Sequence, residues 1–227
     1  MAEIAPNPEL LPSLGRLARG LSALFWGLPA MLIICSETAR ADFLQPEGII
    51  PAILANGLLL FGLIQMSDFQ KQERPWRNAL DRAKLLAIVN LGLCPFFYWQ
   101  NRMPDEFYFV ATIFVFILSS LLLLFNLNVV IRQLGAMLPD ETLRHETRDF
   151  TSFNRWMIVL WFVFVAASIV ATHYNLQSHF DEARWEWIVR LAVAIMLFMG
   201  LSPLAITMAL IWKTKEVIFN GVFGARH

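Results

Sequence analysis

The densest run of ionisable side chains is His145-Glu146-Thr147-Arg148-Asp149, which opens like the HExxH of zinc hydrolases. Glu141, His145 and Asp149 recur at i, i+4 and i+8, so a helix would turn three oxygen and nitrogen ligands to one side. The second histidine is missing, and Arg144 and Arg148 alongside make the row a solvated charge ladder rather than a metal centre. His173, His179 and Asp181 form a second polar group, but their irregular spacing defines no coordination geometry. Cys35 and Cys94 fit neither a CxxC nor a Cys/His zinc pattern and are expected to be small packing residues rather than a disulfide. Two facing axial histidines for haem are lacking. No GxSxG elbow, GxxxxGK phosphate loop or dinucleotide fingerprint occurs. The sequence thus points to no metal, no cofactor and no recognisable catalytic centre.

Polar residues inside long apolar stretches are more informative, because burying them in hydrocarbon without partners is unfavourable. Asn56 and Asn90 fall near the middle of consecutive stretches and are expected to meet, either as an interhelical hydrogen bond or as a contact for a substrate or ion. Asn126 and Asn128, with Gln65 at similar depth, lie closer to one end, where they would line a vestibule. Near the other end stand Glu37 and Arg190. Glu186 precedes Arg190 by four residues in the favourable acid-then-base order, so a local pair is favoured over Glu37 with Arg190. Each of these residues is expected to stay near enough to an interface to snorkel.

The elements that carry these side chains follow from hydropathy. With 57% hydrophobic and 13% aromatic residues and a mean hydropathy of +0.55, the chain is too apolar for one soluble core of its length. Six stretches approach the roughly 20 helical residues that a bilayer core of about 30 Å requires: 17–38, 48–66, 83–99, 107–131, 156–174 and 188–212. Backbone away from water must satisfy itself, so an all-α, polytopic transmembrane bundle forming one domain over residues 1–227 is expected. The third stretch is shortest, and Lys84 would have to snorkel if its helix begins near Arg82. Trp76, Trp156 and Trp212 are expected at one interface and Trp99, Trp185 and Trp187 at the other, leaving Trp26 and Trp161 for the interior. Pro29, Pro95 and Pro203 should kink the first, third and sixth helices. Small pairs, Ala167 with Ala171 and Ala205 with Ala209, mark where helices could approach closely. Residues 139–155 read as an amphipathic helix running into the fifth span, with Leu143, Phe150 and Phe153 on an apolar stripe that lies on the membrane surface or docks a partner.

Orientation follows from charge. Threading the chain through six spans puts fourteen of the eighteen Lys and Arg residues on one side, whose net charge is +4 against −4 opposite. Cationic flanks resist translocation, so both termini are expected in the cytoplasm of a bacterial-type inner (plasma) membrane. Ala39-Arg40-Ala41 resembles a signal cleavage site, but an apolar run long enough to span favours a retained first helix. The expected partners are the lipid bilayer and a second copy or another membrane protein. Nucleic acid is not among them. Function reads first as a non-catalytic bundle that associates with itself or other membrane proteins. Second comes a small-solute or ion transporter or channel with a midplane site near Asn56 and Asn90, and third a lipid-modifying enzyme at the cytoplasmic surface near His145 and Asp149.

Overall fold

The structure, a computed structural model, describes residues 10–40, 49–70, 72–137, 141–173 and 181–223. Helix accounts for 93% of it, and no strand occurs among the described residues. The elements are α1 (Leu10–Arg40), α2 (Ile49–Met66), α3 (Arg74–Leu93), α4 (Phe96–Arg102), α5 (Phe107–Met137), α6 (Glu141–His173) and α7 (Glu182–Phe223). At 1.5 Å per residue the 42 residues of α7 reach about 63 Å, roughly twice the hydrocarbon thickness of a bilayer.

Among the described residues five helices are long and apolar enough to cross a membrane: segments Pro12–Ala39, Ile49–Met66, Phe107–Met137, Arg144–Ala167 and Arg184–Phe219. The third sequence stretch divides instead. Its helix begins at Arg74, with Pro75 in the first turn where a missing N–H costs nothing, so Lys84 lies inside α3 and pairs with Asp81 at 3.3 Å. A turn at Cys94 and Pro95 then starts the short α4. Pro29 and Pro203, by contrast, sit within continuous α1 and α7. Residues 141–155 continue without a break into the fifth apolar stretch as α6, as the sequence leads one to expect.

Two packing units share one core. In the first, α1 crosses α2 where glycine meets glycine: a Cβ on Gly20 would sit 2.7 Å from the Gly62 carbonyl oxygen, and one on Gly62 would sit 2.9 Å from that of Gly20. Leu17, Leu21, Leu24 and Leu28 on α1 pack there with Leu59, Leu63 and Met66 on α2, all at most 1% exposed. The small pairs named from sequence do not serve this purpose, since Ala167, Ala205 and Ala209 are exposed and the side chain of Ala171 lies outside the described residues. α3 and α4 then run antiparallel to α5: Asn90 bonds Ser120, Phe97 packs edge-on against Phe116, and Phe96 meets Tyr108 and Phe109.

In the second unit α5, α6 and α7 meet in layers seven residues apart, the step that brings a helix back to the same side. Asn128, Asn154 and Thr207 form one layer. One heptad toward the α5–α6 turn, Gly135 receives Thr147; one heptad the other way, Gly200 lies against Trp161. At the first of these ends Arg16 pairs with Asp68 at 2.6 Å and Lys213 with Glu146. The loop between α2 and α3 is fixed there by the Trp76 indole, which is fully buried and donates to the Phe69 carbonyl at 3.1 Å. Trp76 is thus buried within the bundle, and Trp26 is 67% exposed.

Candidate functional site

The amphipathic start of α6 packs by a different side from the one its phenylalanines suggest. Thr147, Thr151 and Asn154 recur at i, i+4 and i+7 and are buried against α5 and α7, while Phe150 and Phe153 face outward. Close approach explains the choice, since Gly135 leaves room for a threonine and would leave a phenylalanine ring none. Glu141, His145 and Asp149 are exposed on the remaining surface. No group of three or more His, Cys, Asp or Glu side chains suitable for a metal occurs among the described residues.

Where this side of α6 meets α5 and α7, three polar side chains with 0% exposure converge. Asn128 Nδ2 donates to the Thr207 hydroxyl at 2.8 Å and Asn154 Nδ2 approaches it at 3.4 Å. The hydroxyl passes its own proton to the Pro203 carbonyl at 2.7 Å, and Asn128 Nδ2 also donates to the Leu124 carbonyl at 2.8 Å. The amide oxygens of Asn128 and Asn154 have no donor. Asn126, two residues away, only bonds its own helix at the Leu122 carbonyl.

Compared with protein-family models, with curated proteins and with solved structures, the chain matches none. Its chemistry rests on its own geometry.

The two asparagines expected to meet have separate partners. Asn56 donates to its own helix at the Ala52 carbonyl, 2.9 Å, and to Cys35 Sγ on α1 at 3.6 Å, whereas Asn90 donates to Ser120 Oγ on α5 at 3.2 Å. Both amide oxygens are buried without a donor, as is Ser119 Oγ. Cys35 and Cys94 are free, buried thiols. Arg190 donates to Glu186 at 3.0 Å on α7, and Glu37 lies exposed on α1. Asp181 pairs with Arg184 at 3.5 Å; His179 and the side chain of His173 lie outside the described residues, as does the side chain of Leu143.

Asn154 and Thr207 were not singled out by the sequence reading. Their signals were present, however: Thr147, Thr151 and Asn154 fall on one helical stripe beside the phenylalanines, and Thr207 stands four residues after a proline whose turn its hydroxyl repairs.

Proposed function

We propose that this chain is a multi-pass membrane protein acting as a non-catalytic subunit that associates with itself or with other membrane proteins. In this reading α3 and α4 together make a third crossing. Six crossings then leave both termini and the Lys- and Arg-rich end in the cytoplasm of a bacterial-type plasma membrane. The observation that carries the proposal is the first half of α7. From residue 184 to 202 none of its side chains is buried, and Trp187, Leu197 and Phe198 are 66%, 59% and 69% exposed. A stable interface needs only ~800 Å² from each partner. Lipid also covers apolar helices, but it supplies none of the interlocked packing that a neighbouring helix gives. Native mass spectrometry from lipid nanodiscs tests the idea: assemblies above 26.0 kDa are expected, alone or with co-purified membrane proteins, and a strictly monomeric, partner-free species rejects it.

A second reading, passage of a small solute or ion, is supported by the donorless amide oxygens of Asn56, Asn90, Asn128 and Asn154. Cysteines placed at 128 and 154 in a protein lacking Cys35 and Cys94 should then react with a membrane-impermeant thiol reagent. Complete protection at both positions rejects an aqueous path there.

A further inference from the structure

We propose that four arginines, Arg132 on α5 with Arg144, Arg148 and Arg155 on α6, form a headgroup site for an anionic phospholipid along the outer side of the α5–α6 groove. The register of the two helices places them. Gly135 lies against Thr147, and Asn128 and Asn154 share Thr207, so antiparallel α5 and α6 run side by side through this stretch. The Arg144 guanidinium donates to the Ala136 carbonyl at 3.5 Å, which identifies the sides of α6 and α5 that meet at the groove's edge. Residues four apart share a side of a helix. One turn toward the apolar spans from that contact therefore brings Arg148 on α6 and Arg132 on α5 to the same edge. Arg155, seven residues beyond Arg148, keeps that side about 10 Å farther along. By the Gly135–Thr147 register, Arg132 stands level with residue 150 of α6, between the two.

All four are exposed, and among the described residues no carboxylate pairs with any of them. The acids of this segment lie elsewhere. Glu146 turns to Lys213 on α7, Asp149 follows Arg148 directly and so leaves the helix about 100° away, and Glu141 stands at the distal end, three residues before Arg144. Cations gathered without an acid repel one another, and an anion among them relieves the repulsion. Guanidinium forks match phosphate oxygens two at a time, and exposed Ser152, four residues after Arg148 and three before Arg155, adds a hydroxyl between them. The surface beside the cluster selects a lipid over a soluble anion. Arg155 is followed at once by Trp156, 63% exposed, and the same side of α6 continues as Val159, 45% exposed, while half-buried Phe125 lies seven residues before Arg132 on α5. A ligand that covers both regions carries an anionic head and an apolar tail. The site rests on the reading of the chain as membrane-spanning and is independent of what covers α7.

Native mass spectrometry of the detergent-purified chain, titrated with phosphatidylglycerol or with phosphatidylcholine of identical acyl chains, tests the site. The first phosphatidylglycerol should bind at about a tenth of the concentration that phosphatidylcholine needs. Arg148→Gln with Arg155→Gln should weaken that adduct about tenfold, and Arg132→Gln on the other helix about threefold. Arg74→Gln with Arg77→Gln, which removes two exposed arginines from α3 at the same end of the molecule, should leave it unchanged. Equal binding of the two lipids would overturn the proposal. So would an adduct unaffected by the Arg148 and Arg155 substitutions, or weakened equally by the α3 pair, since net charge rather than this groove would then attract the lipid. Displacement of phosphatidylglycerol by an equal concentration of glycerol 3-phosphate would assign the arginines to a soluble phosphate and would overturn it too. Oligomers are resolved by mass in the same spectra, so failure of association is read separately from failure of lipid binding.

Discussion

At the scale of single residues, the Thr207 hydroxyl joins three helices with one oxygen. Replacing it with valine keeps the shape but strands two buried amides and frees the Pro203 carbonyl. Thr207→Val should lower stability by about 2–3 kcal/mol in denaturant unfolding, against less than about 1 kcal/mol for Thr112→Val, whose hydroxyl only bonds back to Tyr108 on its own exposed helix turn. Gly62 is as demanding sterically. Gly62→Ala puts a methyl 2.9 Å from the Gly20 carbonyl, an overlap that backbone must relieve, and should cost about 1–3 kcal/mol, whereas Gly57→Ala meets open space and should be neutral or slightly stabilising. Part of this was legible in the sequence. Asn128 declared itself as an amide in an apolar run, but its partners did not, because a polar residue announces only that it needs a bond. Asn56 and Asn90 show the same limit: both are central and buried, yet helix crossing, which no spacing reports, gave each a different neighbour.

At the scale of elements, apolar length located five of the seven helices among the described residues, and the amphipathic segment before the fifth stretch was correctly helical. Which side of that segment packs was not legible. Hydrophobicity favours Phe150 and Phe153, but the neighbouring surface is narrowed to a threonine's width by Gly135, so small polar side chains win the inward position and satisfy their hydroxyls on their own helix. The hairpin formed by α6 and α7 is tied at its charged end by Glu146 and Lys213. Both partners are partly open to solvent, so the pair contributes at most about 1 kcal/mol. Charge reversal should expose the coupling: Glu146→Lys and Lys213→Glu each lower Tm slightly, and the double exchange recovers most of the loss. Independent, additive losses would show that the two side chains do not act together.

At the scale of the whole molecule, charge segregation and helix direction must agree. Antiparallel packing of α5 with α6 puts Gly135 beside Thr147, and the Arg16–Asp68 and Glu146–Lys213 pairs gather the starts of α1 and α6 with the ends of α2 and α7. If α3 and α4 complete a crossing between that end and the other, the loop before α3 and the start of α6 share a compartment with most of the Lys and Arg residues. Composition predicted a bilayer protein because apolar content is additive along a chain. It was silent on how the third stretch behaves, because Pro95 and the charges from Arg74 to Lys84 pull that helix toward two environments. Single cysteines at positions 77 and 148, introduced into a protein carrying Cys35→Ala and Cys94→Ala, decide the matter in sealed, oriented vesicles. An impermeant maleimide should label both from the cytoplasmic side and neither from outside. Labelling from opposite sides would mean that the segment from α3 to α4 turns back without crossing, and the charge argument would then account for only half of the molecule.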